Sequence, residues 1–382
     1  MKKKVDSNTS IIGIQLSNFC NLNCSYCYLP GRDNTAVMDK GLIEMIIKKI
    51  FKSTIIKPNI LFLWHFGEPL IIKPSLYQFI FECIEKYNHH RKHVSHNIQT
   101  NGLLLNKAWL SFFSKNNVTI GLSIDGPSFI HDHSRKNWKG KGSFNNVYKS
   151  IDLLKKNNID LSGIAVVTDY TLNYPDEFYN FFKSNGFKWL GLNIERNESD
   201  NLKSSISNSE SLTKYREFIS SLYSLYYQDH SFIIREFEQM EMAIHHFKRQ
   251  NNSRSKNTET TPFDIIKLNM NGDISTFSLF QNIGQSPNIS IANINDIISL
   301  DDLVSYPNYL LQLSEIQKGI KRCFEDCMYY PVCGGGSPPA KLYENNSFDS
   351  LETFQCITHK QIIFDTIINY FNKYAVAPSP VI

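Results

Sequence analysis

Three cysteines, Cys20, Cys24 and Cys27, lie close together near the N-terminus in the segment CNLNCSYC. Their spacing is C-x3-C-x2-C, and the aromatic residue Tyr26 directly precedes the last cysteine. Three thiolates at this spacing can bind three irons of a cubane iron–sulfur cluster and leave the fourth iron without a protein ligand. A small molecule can bind such an open position, as happens at catalytic metals. The alternatives are a three-ligand zinc site, for which no histidine lies close by in the sequence, and a set of buried thiols.

A second group of cysteines lies near the C-terminus. Cys323, Cys327 and Cys333 are spaced C-x3-C-x5-C, and Cys356 follows. Four thiolates complete the protein ligands of a [4Fe–4S] cluster, so this group predicts a cluster without an open iron, for electron transfer or for structure. Zinc needs the same number of thiolates, and the spacing alone leaves that alternative open. Cys83 stands apart in a helical pattern and is predicted to be a core thiol.

The composition is typical of a globular protein of modest charge. The chain has 382 residues, of which 42% are hydrophobic, and this length suits one large domain plus a smaller one. A net charge of +4 is small for the length and does not indicate nucleic acid as a partner. No apolar run reaches the length of a membrane span and no signal-peptide pattern is present, so we predict a cytoplasmic protein without membrane contact. In that compartment, eight cysteines favour metal binding over disulfides.

The first half of the chain alternates apolar runs typical of strands with amphipathic patterns typical of helices. Strands are predicted at 11–16, 59–65, 94–99, 118–124, 161–167 and 187–194, and helices at 39–53, 74–89, 106–115, 144–157 and 176–185. This alternation predicts an α/β fold with a parallel sheet and right-handed crossovers. In barrels built this way, the loops after the strands carry the chemistry. The cysteine loop follows the first predicted strand, in agreement with that rule.

The cysteine motif resembles that of the radical S-adenosylmethionine (SAM) superfamily. In that superfamily SAM chelates the open iron through its methionine amine and carboxylate, and electron transfer cleaves it to a 5′-deoxyadenosyl radical. The resemblance implies an open, partial (β/α)6 TIM barrel, which we assign to residues 10–195. A helical bridge with polar loops is predicted at 196–261. A SPASM-like auxiliary-cluster domain is predicted at 262–382, and it begins with a β-hairpin over 263–277.

Further segments resemble the SAM-binding motifs of this superfamily. Phe66-Gly67-Glu68-Pro69 ends the second strand and is similar to the GGEP motif, with Phe66 in place of the first glycine. In that motif the backbone and the acid hold the methionine ammonium of SAM, since a small residue allows close approach and a carboxylate pairs with a cation. A surface carboxylate is the alternative for Glu68. Tyr26, inside the cysteine motif, is also assigned to the SAM site.

The resemblance extends to the next strand ends. Asn101 follows the third strand, and Ser123 ends the fourth at a position where related maturases contact the SAM ribose. Arg135 matches a position that binds the SAM carboxylate, although a solvated loop arginine is the alternative. Val166 is predicted to line the adenine pocket, although ordinary strand core would look the same. For Asp125 two roles stay open: a structural cap of its turn, or the catalytic base that accepts a proton.

The segment from Cys333 to Cys356, CGGGSPPAKLYENNSFDSLETFQC, looks like a SPASM-type ending. It is most similar to the Xye, Grr and Fxs groups of peptide maturases, which form three-residue cyclophanes, with Ala340 and Asn346 as departures from their pattern. Many SPASM proteins carry a further cysteine set, but this chain has no cysteine between Cys83 and Cys323. We therefore predict one auxiliary [4Fe–4S] cluster, which the radical SAM motifs favour over zinc.

The resemblance implies an enzyme that crosslinks a ribosomally made precursor peptide. It would join an aromatic ring carbon to the Cβ of a residue two positions later. The implied partners are the precursor with its leader and a small electron-donor protein of the flavodoxin or ferredoxin type. Because the barrel begins near residue 11, we expect the leader to bind a barrel face, the polar segment 196–212, a strand edge or a separate protein. The alternatives are another SPASM maturase, which forms formylglycine or a thioether, a non-catalytic iron–sulfur redox protein, and a zinc scaffold.

Overall fold

Six parallel strands alternate with helices in the first half of the chain. The computed structural model describes residues 9–197, 201, 203–249, 256–277 and 289–375. The strands are β1 (Thr9–Ile14), β2 (Asn59–Trp64), β3 (His93–Thr100), β4 (Val118–Ser123), β5 (Leu161–Val167) and β6 (Phe187–Ile194). Each pairs in parallel with the next. The predicted (β/α)6 partial barrel is therefore confirmed.

Six helices cover the outside of these strands. They are α1 (Lys40–Lys52), α2 (Pro74–Tyr87), α3 (Lys107–Lys115), α4 (Ser128–Ser134), α5 (Phe144–Lys156) and α6 (Pro175–Ser184). Side chains alternate along each strand, and in β2 the buried set includes Phe62 and Trp64. Trp64 packs edge-on against Tyr77 of α2, with 5.5 Å between the ring centroids. The other set of β2 side chains, which includes Leu61 and Leu63, therefore faces the barrel interior.

The sheet continues beyond the six barrel strands at both edges. The added strands are β7 (Ile233–Ile234), β8 (Ile265–Leu268), β9 (Asp273–Thr276) and β10 (Ala292–Asn293), and the strand order is β10-β9-β8-β1-β2-β3-β4-β5-β6-β7. Strand β8 pairs in parallel with β1, and β9 returns antiparallel to β8 as the predicted hairpin. The sheet thus crosses both predicted domain boundaries, and the division of the chain into three parts stays a prediction.

The remaining helices follow the barrel. They are α7 (Ser209–Asp229), α8 (Arg235–Arg249), α9 (Pro307–Asp326), α10 (Tyr330–Cys333), α11 (Pro338–Asn345), α12 (Phe354–Cys356) and α13 (Ile362–Ala375), with a π-helical turn at Ile357–Gln361. Helix α13 packs on α7 through Tyr370 and Tyr223, whose ring centroids are 5.2 Å apart. In the part of the chain that the structure describes, no helix combines the length and the apolar character needed to span a bilayer. Residues 198–200 and 202 of the polar segment 196–212 lie outside the described residues.

Candidate active site

The loop that carries Cys20, Cys24 and Cys27 leaves the C-terminal end of β1. Two side chains donate hydrogen bonds to its backbone. The indole Nε1 of Trp138 donates to the carbonyl of Cys20 at 2.9 Å, and Nη1 of Arg32 donates to the carbonyl of Cys24 at 3.3 Å. The Arg32 guanidinium also lies 5.8 Å from the centre of the Trp138 ring. The loop is therefore positioned by two residues that follow it in sequence, one of them more than a hundred residues away.

The donor set of this loop fits a cubane cluster. All eight cysteines are free thiols. Burial is the main cause that raises the pKa of Cys20 and of Cys24 to about 12, so the bare thiols keep their protons and give them up when metal binds. Among the described residues, no three His, Cys, Asp or Glu side chains meet closely enough for a single metal ion. A cubane does not require such a meeting point, because each thiolate binds a different iron.

Asp125 joins the cysteine loop to two other elements. Its Oδ2 accepts from the Tyr26 hydroxyl at 2.6 Å and from Nε of Arg135 at 2.9 Å. Its Oδ1 accepts from Nη2 of Arg135 at 3.0 Å and from the backbone N of Val166 at 2.9 Å. Asp125 is 2% exposed and Arg135 is 7% exposed. These contacts favour a structural role for Asp125, and its role as proton acceptor stays a prediction.

Arg135 keeps donors for a second anion. A guanidinium has five N–H groups, and Asp125 accepts two of them. Among the described residues, Nη1 of Arg135 has no hydrogen-bond acceptor, and the guanidinium lies 5.5 Å from the centre of the Tyr26 ring. This geometry suits the predicted contact with the SAM carboxylate, which stays a prediction.

The turn after β2 contains two residues in left-handed conformation, Phe66 with φ 76° and Gly67 with φ 59°. A Cβ at Gly67 would lie 2.6 Å from the carbonyl oxygen of Phe19, so the glycine allows the turn to pass against the cysteine loop. At the position where the resembled motif has its first glycine, the Phe66 ring is buried with its centre 3.6 Å from Nζ of Lys267. The left-handed backbone costs Phe66 about 1–2 kcal/mol, and a cation–π contact of this kind offsets part of that cost.

Glu68 links the end of β2 to the end of β3 through hydrogen bonds. Its buried carboxylate accepts from Thr100 Oγ1 at 2.5 Å, from the backbone N of Asn101 at 2.8 Å and from the backbone N of Leu70 at 2.9 Å. Burial raises the pKa of Glu68 above its ordinary value, and these three hydrogen bonds oppose the rise. The Nδ2 of Asn101 lies 3.8 Å from Sγ of Cys20. Glu68 therefore positions Asn101 beside a predicted cluster ligand, and its pairing with the SAM ammonium stays a prediction.

The other predicted SAM-site residues lie at the same edge of the sheet. Ser123 ends β4, and its Oγ accepts from Nε2 of Gln99 at 3.0 Å. Val166 is half-buried and packs against a small cluster that contains Cys24 and Tyr26. The structure thus brings every predicted SAM-site residue to the C-terminal ends of β1 to β5. The contacts of these residues with SAM stay predictions.

The four C-terminal cysteines line one cavity of about 190 Å³. Cys323 and Cys327 lie at the end of α9, Cys333 ends α10, and Cys356 ends α12. The chain turns sharply after α10 through three successive glycines with φ 70°, 109° and 77°. A Cβ on the last of them, Gly336, would lie 3.3 Å from Sγ of Cys356. Four thiols around one cavity fit the predicted auxiliary cluster.

The segment around Cys356 packs against the end of the barrel. Nη1 of Arg196, just after β6, donates to Oε1 of Gln355 at 2.5 Å. The hydroxyl of Tyr215 in α7 donates to the carbonyl of Thr358 at 3.2 Å. The auxiliary cavity is therefore attached to the same edge of the sheet that carries the SAM-site residues.

Several polar residues at these sites were not predicted from the sequence. His65 directly precedes the GGEP-like segment, and burial is the main cause that lowers its pKa to about 4, with the charge of Lys267 adding to it. His65 continues the alternation that turns Leu61 and Leu63 of β2 toward the barrel interior. Its imidazole, neutral at pH 7, therefore lies beside the SAM site. Lys341 contacts the auxiliary cysteines. Two features of the sequence could have indicated these residues. His65 is adjacent to the GGEP-like segment, and Lys341 lies inside the SPASM-like ending.

Comparison with known proteins establishes the family. The Radical SAM superfamily model matches residues 14–182. Protein sll1766 of Synechocystis sp., which is uncharacterized, is 34% identical over 94% of this chain and 91% of its own length. This chain belongs to the radical SAM superfamily. Its predicted cofactors, SAM and a [4Fe–4S] cluster, are those of this superfamily and are confirmed. The predicted auxiliary cluster fits the four-cysteine cavity.

Anaerobic sulfatase-maturating enzymes match part of this radical SAM protein. The serine-type enzyme of Bacteroides thetaiotaomicron is 43% identical over 43% of this chain and 41% of its own length. The cysteine-type enzyme of Clostridium novyi is 31% identical over 56% of this chain and 58% of its own length. The chain therefore matches only about half the length of each of these relatives.

Two solved structures share the fold over most of the chain. The structure of anSMEcpe with bound AdoMet and the Kp18Cys peptide has a TM-score of 0.78 at 21% identity, and covers 96% of this chain and 99% of that one. Streptococcus suis SuiB bound to precursor peptide SuiA has a TM-score of 0.64 at 17% identity, and covers 92% of this chain and 76% of SuiB. At these identities the likeness shows the fold alone.

Proposed function

We propose that this radical SAM protein modifies a peptide, and that it joins an aromatic ring carbon to the Cβ of a residue two positions later to form a cyclophane. The observation that carries the proposal is the combination of an open three-cysteine site with one separate four-cysteine cavity in the same chain. A peptide substrate is supported by the relatives, which include sulfatase-maturating enzymes and SuiB, a protein that binds a precursor peptide. The SPASM-like ending supports the cyclophane product in particular.

The electron count of this reaction accounts for both cysteine groups. Bound at the three-cysteine cluster, SAM supplies the radical that removes one hydrogen atom from the substrate Cβ. When Cβ then bonds to the ring carbon, the ring must lose one electron and one proton to become aromatic again. A cluster held by Cys323, Cys327, Cys333 and Cys356 would supply an acceptor for this electron, and a base would accept the proton. The peptide thereby loses two hydrogens in total, and the electron replaces the one spent on SAM cleavage.

The side chains at the barrel edge position the reactants. Asp125 fixes Arg135 and Tyr26 beside the cysteine loop through three hydrogen bonds, and it accepts a fourth from the backbone N of Val166. Glu68 fixes Asn101 next to Cys20. Such fixed positions matter because hydrogen abstraction requires the reacting atoms to be in near contact. Asp125 is the proton acceptor proposed from the sequence. His65 is a second candidate, since its lowered pKa leaves it neutral at pH 7.

The test is anaerobic incubation of the reconstituted enzyme with SAM, a reductant and a precursor peptide. The peptide is to be chosen by a search of the neighbouring genes for a short open reading frame that encodes an aromatic-x-x motif. We expect the peptide to lose two hydrogens, and tandem mass spectrometry to show no fragmentation between the two linked residues. A precursor with leucine in place of the aromatic residue is the control and should stay unmodified. If that control loses two hydrogens at the same rate, the aromatic ring is not the acceptor and the cyclophane assignment is wrong.

A second candidate function is formylglycine formation, which the 43% identity with the serine-type enzyme over its matched part favours. Oxidation of a peptide cysteine to formylglycine releases sulfur, whereas oxidation of a serine also removes two hydrogens. Mass alone therefore does not separate the serine reaction from a crosslink. An aminooxy or hydrazide probe does, because formylglycine carries an aldehyde and a cyclophane does not. A product labelled by the probe would establish the second function instead of the first.

A further inference from the structure

Lys341 is a fully buried cation beside the auxiliary cysteines. It lies on α11 and is 2% exposed. Its Nζ donates to the carbonyl of Gly319 at 2.9 Å and to Sγ of Cys323 at 3.2 Å. Gly319 and Cys323 are one turn apart on α9, so they lie on the same face of that helix. The ammonium group therefore bridges one helical turn and ends on a predicted cluster ligand.

The packing around Lys341 leaves room for its ammonium group at this position. A Cβ at Gly319 would lie 2.2 Å from the carbonyl oxygen of Phe348 and 3.1 Å from Nζ of Lys341. A side chain at position 319 would therefore push Lys341 away from Cys323. The contact requires a glycine at position 319, because the backbone of Phe348 lies directly against α9 at this point.

Among the described residues, Lys341 forms no ion pair with an aspartate or glutamate. The carboxylate of Asp349 is engaged by Nε of Arg322 at 2.5 Å. A buried charge without a partner of opposite sign is strongly unfavourable. The thiolate of Cys323 is the group within hydrogen-bond distance of Nζ that can carry negative charge. Iron binding keeps Cys323 deprotonated, since a thiol must lose its proton to bind metal.

Two other sulfurs of this group accept hydrogen bonds from neutral donors. Sγ of Cys333 accepts from the backbone N of Gly336 at 3.2 Å, and Sγ of Cys356 accepts from Oγ1 of Thr353 at 3.1 Å. At the first cluster site, the neutral contacts of Cys20 are longer, at 3.5 Å to Leu22 N and 3.8 Å to Asn101 Nδ2. Within the part of the chain that the structure describes, Lys341 is thus the charged donor to a predicted cluster sulfur.

We propose that Lys341 raises the reduction potential of the auxiliary cluster by placing its positive charge against the thiolate of Cys323. Hydrogen bonds to the sulfurs and the net charge around a cluster are two of the properties that set its potential. A reduced cluster carries one more negative charge than an oxidised one, so a nearby cation stabilises the reduced form more. Lys341 is therefore a positioning and tuning residue that makes this cluster a better electron acceptor. The inference depends on the auxiliary cluster and not on the identity of the peptide product.

The test is a redox titration of the auxiliary cluster alone, followed by electron paramagnetic resonance. The full chain carries C20A, C24A and C27A, so that only the auxiliary cluster forms, and K341M is compared with K341R. At a fixed potential, we expect K341M to raise the ratio of oxidised to reduced cluster at least about tenfold, which for one electron is about 59 mV toward lower potential. K341R keeps the charge and should stay close to the parent. No peptide is needed, so a failure here is distinct from a failure of the proposed function.

The matched control is K318M. Lys318 also lies on α9, but its side chain is 57% exposed and pairs with Glu315, so water screens its charge. We expect K318M to leave the potential unchanged. An equal shift in K318M and K341M would mean that the effect is not local, and would overturn the proposal.

Three further outcomes bear on the proposal. If K341M binds a full complement of iron and has the parent potential, the proposal is wrong. If K341M does not retain the cluster, K341Q replaces it, because its amide can still donate to the Gly319 carbonyl without a charge. Loss of iron in K341Q with retention in K341R supports the requirement for a cation. Loss of iron in both K341Q and K341R assigns Lys341 to packing alone and overturns the proposal.

Discussion

The replacement of Asp125 by asparagine separates its two possible roles. The carboxylate accepts four hydrogen bonds, two at each oxygen. An asparagine presents an NH2 group in place of one oxygen, and that group would face two donors. The substitution also leaves Arg135, which is 7% exposed, without its counter-charge. Removal of one partner from a buried ion pair costs about 3–5 kcal/mol, so we expect the free energy of unfolding to fall by that amount.

The assay has three readouts on anaerobically reconstituted D125N. These are the free energy of unfolding in urea, the affinity for SAM, and the formation of 5′-deoxyadenosine. We expect all three to fall together, and SAM affinity by about tenfold or more, equivalent to about 1.4 kcal/mol. The physical reason is that Tyr26 and Arg135 lose their common acceptor beside the cysteine loop. A pure proton acceptor would act only after SAM cleavage, so its loss would spare all three readouts.

The matched control is D132N on the neighbouring helix α4. Oδ1 of Asp132 accepts from the backbone N of Ser143 and of Phe144 at the start of α5, and asparagine can accept the same bonds. We expect it to change stability by less than about 1 kcal/mol. If D125N is as stable as the parent, forms 5′-deoxyadenosine at the parent rate and yields no crosslinked peptide, the positioning argument is refuted and Asp125 is the base.

Three further predictions concern the metal, the turn and the pH dependence. C20A/C24A/C27A should lower bound iron from about eight to about four per chain and abolish the spectral change on SAM addition; iron near eight would contradict the ligand assignment. G67A should cost at least about 1–3 kcal/mol, because its Cβ would lie 2.6 Å from the Phe19 carbonyl; urea unfolding at parent stability would contradict it. Burial lowers the pKa of His96 from 6.5 to about 4, so the unfolded state binds the proton first as pH falls. The contribution of His96 to the free energy of unfolding is present above pH 6.5 and is lost as the pH falls toward 4. About 2 kcal/mol of it is lost between pH 7 and pH 5. H96Q, which keeps an acceptor for Trp64 Nε1, should lose about 2 kcal/mol less than the parent over that range; parallel curves would contradict the assignment.

The sequence by itself determined those features of this protein that depend on residues close together in the chain. These are the first cysteine group and the barrel strands. The three predicted ligands of the first cluster lie within one short segment, so their spacing was enough to predict a cubane cluster with an open iron. The six barrel strands follow from alternating apolar runs, because each strand buries side chains against its own neighbouring helices. The first strand was predicted at 11–16 but is Thr9–Ile14, since the chain leaves the sheet before the cysteine loop. The ends of a strand depend on where its partner strands pair with it, and not on the extent of its apolar run.

Tertiary structure decided the contacts between distant segments. Asp125 could be a cap or a base by sequence, and only folding brings Tyr26, Arg135 and Val166 within hydrogen-bond distance of it. Likewise, β8 pairs with β1 although about 250 residues separate them, and Lys341 meets Cys323 across two helices. Charges and hydrogen bonds act over a few ångströms. Which atoms come that close is set by the packing of the whole chain, and no local pattern records it.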